Sequence, residues 1–205
     1  MDAMVIRGPR LSLRYARPAD AERLFELGRD PEVSRFFSWG PYDHVGEAAA
    51  FIERMARQRE AGERLELVIA DAGDAPIGIT GLSEFSARDR RAVVGTWLGR
   101  EHWGTGANED SKALILALAF RTLGLQRVSA YAHPDNARSV RALERLGFVP
   151  EGVLVAWHLH AGERRDVTLL RLLREDWEAS ALATVPVTVT GEPPPRIFAR
   201  TPAQG

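Results

Sequence analysis

The chain contains no cysteine, which excludes disulfides, thiolate metal sites and a covalent cysteine intermediate. It contains a single lysine, Lys112, although Lys and Arg together number 27; this reads first as a compositional bias and only second as a functional signal. No apolar run approaches the length of a membrane span, and the N-terminus carries no signal-peptide core. The expected location is therefore cytoplasmic, with no membrane partner. With a net charge of −1, the chain has nothing to support broad electrostatic binding to nucleic acid. His44, His102, His158 and His160 lack metal-ligand spacing, so no metal is expected. What remains is 205 residues, 45% hydrophobic and 27% charged, enough for one well-packed domain with decoration.

Residues 10–15 alternate apolar and polar, as a half-buried strand does. Arg17-Pro18-Ala19-Asp20 opens a helical pattern, and Asp30-Pro31 a second short helix with proline in its first turn. Phe36 to Pro41 reads as an aromatic loop, followed by a helix capped by Asp43 and ending near Gly62. Three antiparallel strands are expected over 65–70, 77–85 and 92–98. A helical period then runs over 107–123, ahead of a strand over 127–132 and a helix over 136–146. A hairpin over 153–160 and 164–172 turns at Ala161-Gly162-Glu163, and a last helix covers 175–182. From Thr184 the composition shifts to Pro, Thr and Gly. Residues 1–183 are thus expected as one domain and 184–205 as a tail, flexible or docked by Ile197-Phe198. Parallel and antiparallel neighbours in one sheet imply a mixed α+β fold flanked by helices.

The most informative stretch follows the third strand. Gly104-Thr105-Gly106 lets the backbone approach a ligand closely, and the helix beginning at Ala107 has first amides without intrahelical partners. Orphan N–H groups, the positive end of the helix dipole and a concave turn suit a phosphate or pyrophosphate. Gly-x-Gly also occurs in ordinary loops. A Rossmann reading fares worse, because the preceding strand belongs to a hairpin series and the third glycine is absent.

Farther on, Asn136-Ala137-Arg138-Ser139 leads to Leu146-Gly147-Phe148. A glycine turn into a helix, a strand, and this second motif resemble the GNAT acetyltransferase superfamily. Residues 10–20 and Asp30-Pro31-Glu32-Val33 resemble its ribosomal-protein N-terminal (alanine/serine) acetyltransferase branch. The resemblance covers roughly residues 8–177 and implies a mixed, mostly antiparallel, twisted central sheet. It implies acetyl-coenzyme A as donor, with no metal. The pyrophosphate would lie on the amides of Gly104, Thr105, Gly106, Ala107, Asn108 and Glu109, and pantetheine would pair with the backbone of Trp97, Leu98 and Gly99. The family pattern Gln/Arg-x-x-Gly-x-Gly/Ala is met with Trp103 first, Gly106 fourth and Asn108 last. Trp103 removes a cationic contact, yet the amide cradle does not depend on side chains. Lys112, a turn into the helix, is either within reach of a phosphate or a solvated surface lysine.

Asn136 and Ser139 lie one helical turn apart. The resemblance makes Asn136 a pantetheine contact; its own chemistry equally suits an N-cap, and the two roles are compatible. The family's acid, a tyrosine seven residues on, is Leu143 here. Ser139 is then the expected substitute, unless its hydroxyl bonds back to the helix. The family's strand glutamate finds Val93 and Val94 in its place. Glu84 is the first candidate base and His133 the second; the alternatives are a solvent-facing Glu84 and a His133 satisfied within its loop. Phe36, Phe37, Trp39 and Trp157 are candidate acceptor-binding residues, with core packing as the rival role. Arg164-Arg165-Asp166 reads as a solvated strand start.

The acceptor's own acidity sets how much base is needed. Holding an α-amine of pKa about 7.7–8.0 neutral at pH 7 costs about 1 kcal/mol, whereas a lysine near 10.4 costs roughly 4–5. Without an obvious dedicated carboxylate, a peptide or protein N-terminal amine is the expected acceptor. The alternatives are a small-molecule amine such as an antibiotic or polyamine, or an acyl-coenzyme A-binding protein with little turnover. Direct transfer would rest on positioning and on backbone donors to the developing oxyanion. A homodimer is left open.

Overall fold

Strand β3 (Arg64–Ala70) carries apolar side chains at successive positions, and its two-residue period sends them to opposite faces of a sheet. Leu65, Leu67 and Ile69 enter one core, and Val68 and Ala70 the other. Both faces are therefore covered. The computed structural model describes residues 3–160 and 162–198. Ala161 of the expected hairpin turn, residues 199–205 of the tail and the side chain of Phe198 lie outside the described residues.

Among the described residues, nine strands form one open sheet: β1 (Val5–Arg7), β2 (Ser12–Arg14), β3, β4 (Pro76–Ser86), β5 (Arg91–Leu98), β6 (Arg127–Ala132), β7 (Val149–His160), β8 (Glu163–Leu173) and β9 (Thr188–Thr190). Their spatial order is β7-β8-β6-β5-β4-β3-β2-β1-β9, with every described pair antiparallel except β5 and β6. Helices α1 (Ala21–Gly28), α2 (Pro31–Ser34) and α3 (Val45–Ala61) gather on one face. Helices α4 (Ala107–Ala117), α5 (Ala137–Arg145) and α6 (Arg174–Glu178) contribute to the core on the other. None of the described helices is long and apolar enough to cross a membrane.

Three local expectations are corrected. The cap of α3 is His44 rather than Asp43, because Glu47 reaches back to accept from the amides of both residues. The helix expected over 107–123 is α-helical only to Ala117. Its end widens into a π turn, with Leu123 N–H bonding five residues back to Leu118, and Phe120 there stacks on Trp177 at 5.2 Å. The last helix is shorter than expected, ending at Glu178, with a separate turn at Ala181–Thr184.

The Pro-rich segment contributes β9 at the sheet edge and a buried Ile197. Gly62 makes the latter approach feasible. It ends α3 at φ +77°, and a Cβ there would lie 2.6 Å from Arg196 O. The N-terminal elements are tied by charge: Arg14 reaches Asp20 with two bonds of 2.8 and 2.9 Å and Asp74 with a third of 2.6 Å. Arg14 is 4% exposed, so this guanidinium is desolvated and depends on its carboxylates.

Candidate active site

Strands β5 and β6 are paired from Arg91/Arg127 to Val94/Ala130, and there the ladder stops. Strand β5 runs on to Leu98 and β6 to Ala132, so the two separate and, among the described residues, 95–98 have no strand partner on the β6 side; Leu98 O accepts instead from Trp103 Nε1. Gly95, the first residue past the last pair, has open space where a Cβ would be. The cleft is thus built from a parallel pair that parts.

Past β5 the chain turns through Gly104 (φ +76°) and Gly106 (φ +88°) into α4. Asp110 N–H is the first to bond back, to Gly106 O at 3.1 Å. Ahead of it, among the described residues, the nearest partner is Thr105 Oγ1, 3.4 Å from Ala107 N. Among the described residues the amides of Gly104, Thr105, Gly106, Asn108 and Glu109 have no hydrogen-bond partner, the arrangement that suits an anion. Two arginines border this turn. Arg10 Nη2 pairs with Asp110 at 2.6 Å and would lie 2.7 Å from a Cβ on Gly106. Arg138, on the first turn of α5, stacks its guanidinium 3.4 Å from the Trp103 ring, while Trp103 Nε1 donates to Leu98 O at 2.9 Å. Trp103 removes the cation from its own position, but a neighbouring element returns one to it.

On the α1–α3 face a cavity of about 590 Å³ opens beside the cleft. Phe36, Phe37, Trp39, Glu84, His133 and Trp97 all line it. Glu84 enters through a bulge: the β4–β5 register shifts between Ser83 and Ser86, and Glu84 takes φ +51°. Its Oε2 accepts from Tyr131 Oη at 3.1 Å. His133 rests 5.2 Å from the Phe36 ring, and its Nδ1 accepts the Asp135 amide at 3.2 Å. Trp157 stands apart from the other three aromatic candidates. It is 50% exposed, packs 6.2 Å from Tyr131 and does not line the cavity. The register shift between Leu154 and His158 brings His158 to the cavity instead.

Asn136 caps α5, accepting from Ser139 N–H at 3.1 Å. Ser139 is half-buried and lies outside the lining that holds Glu84 and His133. Leu143 is buried in the core.

Several cavity residues escaped the sequence reading. Tyr131 had no motif to mark it. Glu66, on β3, looked like an ordinary polar member of an alternating strand, but burial pushes its carboxyl up against the opposing pull of Arg64 and Arg54, and its Oε2 has no hydrogen-bond partner. Arg165 and Asp166, read as a solvated strand start, line the cavity, where Asp166 accepts the Ala156 amide at 2.8 Å. Lys112 overturns both of its expected roles. It is 3% exposed and turned away from the anion cradle, bonded to Thr96 Oγ1 on β5. Thr96 Oγ1 in turn lies 2.7 Å from Thr80 Oγ1. Only the lysine count could have drawn attention to it.

Residues 10–149 match the acetyltransferase (GNAT) domain. The chain is 29% identical over 170 residues to "Uncharacterized N-acetyltransferase p20" of Bacillus licheniformis, covering 82% of this chain and 95% of the relative. It is 27% identical to the "Putative ribosomal N-acetyltransferase YdaF" of Bacillus subtilis strain 168, over 82% and 93% of the two chains. A spermidine N(1)-acetyltransferase of Vibrio cholerae is 25% identical, over 82% and 95%. Among solved structures, a "putative acetyltransferase from T. thermophilus" superposes with a TM-score of 0.74 at 30% identity, over 83% and 89%. With a parting parallel pair, a glycine turn into a helix start and these relatives together, the chain belongs to the GNAT acetyltransferase family and is an acetyl-transferring enzyme.

Proposed function

We propose that this enzyme moves the acetyl group of acetyl-coenzyme A directly to the α-amine of a peptide or protein N-terminus. The donor's pyrophosphate lies on the amides of residues 104–109, bordered by Arg10 and Arg138. Its pantetheine takes the place of a strand beside Trp97, Leu98 and Gly99, with Asn136 and Ser139 reaching it from α5. The amides at the start of α4 that lack backbone partners, and the stretch of β5 past its last pair with β6, support this placement.

The acceptor approaches from the cavity side, and the charge balance of that cavity carries the reading. Arg54, Arg64 and Arg165 stand against Glu66, Glu84 and Asp166. A polyamine carries several positive charges and calls for an excess of carboxylates; a balanced lining suits one amine on a peptide backbone. Phe36, Phe37 and Trp39 supply apolar walls. Glu84 accepts the proton that the amine loses as its nitrogen bonds to the acetyl carbon, with His133 as the second candidate. An α-amine asks little of that base.

Thiol release from acetyl-coenzyme A tests this with peptides bearing free N-terminal alanine or serine, with spermidine and with an aminoglycoside. The peptides should give the highest kcat/KM, and intact-mass measurement should find no acetylated enzyme. Preferred turnover of spermidine or the aminoglycoside would refute the acceptor assignment while leaving the donor site intact.

A further inference from the structure

The cleft between β5 and β6 has a second side, facing α4, and the chain's single lysine stands there. Lys112 is buried, and among the described residues its hydrogen-bond partner is Thr96 Oγ1. Thr96 sits two residues past the last β5–β6 pair and also lines the acceptor cavity. It is therefore placed where the thioester end of a donor paired with residues 97–99 would come. Among the described residues no carboxylate pairs with the lysine. Asp110 on its own helix is held by Arg10, Glu109 is exposed, and β4 and β5 present the hydroxyls of Thr80 and Thr96. A full hydrophobic side chain would pack this core at no desolvation cost, so a lysine here is an expense that packing does not explain.

Leu143, at the position of the missing acid, belongs to the same core as Ala113 and Leu114 of α4. On the acetyl-coenzyme A reading of the cleft, the coenzyme A thiolate that departs needs a proton.

We propose that Lys112, acting through the Thr96 hydroxyl, supplies the proton that the departing thiolate takes up. The inference rests on the acetyl-coenzyme A reading of the cleft. As the acceptor nitrogen bonds to the acetyl carbon, the carbon–sulfur bond breaks with its electron pair on sulfur. The Thr96 hydroxyl, which donates to Gly95 O at 2.8 Å, turns from that carbonyl and gives its proton to sulfur, and Thr96 regains one from the Lys112 ammonium, which becomes the neutral amine. The proton shed by the acceptor amine leaves separately, through Glu84. Burial lowers the Lys112 ammonium to about 7, which makes it a ready donor near neutrality. Ser139 is not required as the acid.

The test compares wild type with Lys112→Met, Thr96→Val and Ser139→Ala. Acetyl-coenzyme A affinity is measured by calorimetry, and kcat against pH by thiol release with an N-terminal alanine peptide. The thiolate absorbance of bound coenzyme A is titrated in parallel, which needs no acceptor. Lys112→Met should keep affinity within about threefold, cut kcat about 10²-fold, remove the fall in kcat as pH rises past the lysine's own titration, and raise the bound thiol's pKa toward that of free coenzyme A. Thr96→Val should do the same with lysine still present, and Ser139→Ala should keep the falling limb. An unchanged thiol titration and pH profile in Lys112→Met, or loss of the limb in Ser139→Ala, overturns the inference. Wild type that fails to bind acetyl-coenzyme A overturns the donor site itself, a different result.

Discussion

The Tyr131 hydroxyl on β6 donates a 3.1 Å hydrogen bond to Glu84 Oε2 on β4, spanning the strand that lies between them. The bond fixes a carboxylate over the cavity side of the β5–β6 cleft. Tyr131 itself is held above the usual phenol range, by burial first and then by the Glu84 charge, so it remains a donor through neutral pH. Glu84→Gln should lower kcat by about 10²-fold, the lower end of what a positioned base contributes. It should also remove the rise of kcat with pH at saturating acceptor. An unmoved pH–rate profile would retire Glu84 in favour of His133.

Gly106→Val should weaken coenzyme A binding by at least about tenfold, because a β-branched residue at φ +88° costs about 1–3 kcal/mol and its Cβ would also meet Arg10. Calorimetry reads the affinity, and circular dichroism checks that the fold persists. Equal binding in the variant would mean that this turn is not the pyrophosphate site.

Arg138→Ala should loosen coenzyme A by about threefold to tenfold, in line with a cation–π and phosphate contact at a partly exposed site. The difference from wild type should shrink as salt rises. A salt-independent loss would assign Arg138 to packing on Trp103 alone.

Lys112→Met should stabilise the fold, and the sign of its pH dependence is fixed. The folded-state value of about 7 lies below an unfolded value of about 10.4, so folding expels a proton. The penalty is fully present below about 7 and fades as pH rises toward the unfolded value. The gain in Tm over wild type should therefore be largest at mildly acidic pH and small at high pH. A gain that grew with pH would contradict the desolvated lysine.

Asp20→Ala should destabilise by about 3–5 kcal/mol, as expected when one partner of a buried ion pair is removed. Arg14 would keep Asp74, which is half-exposed, but lose its bidentate partner. Denaturant unfolding measures this; a loss under about 1 kcal/mol would place Arg14 in water.

Local signals in the chain were enough for most of the sheet, for the glycine turn before α4 and for the cap of α5. Two-residue alternation, a glycine turn and an asparagine cap act within a few residues of chain, so β6 is read to its ends and Asn136 is found as a cap. The same holds for Gly104 and Gly106, whose positive φ belongs to the turn itself. Strands β1 and β9, three residues each, carry too short a pattern to read, and they pair only through the folded sheet.

What the tertiary structure decided was environment. Glu66 and Lys112 are ordinary polar letters in a strand and a helix, and nothing nearby in sequence says that either will lose its water. Their burial arises because the opposite faces of one sheet are covered by α1–α3 and by α4. The bulge that turns Glu84 into the cavity, and the parting of β5 from β6 that opens the cleft, are likewise properties of strand pairing between distant segments. Sequence set which groups could do chemistry; packing across the sheet set which of them meet and in what dielectric.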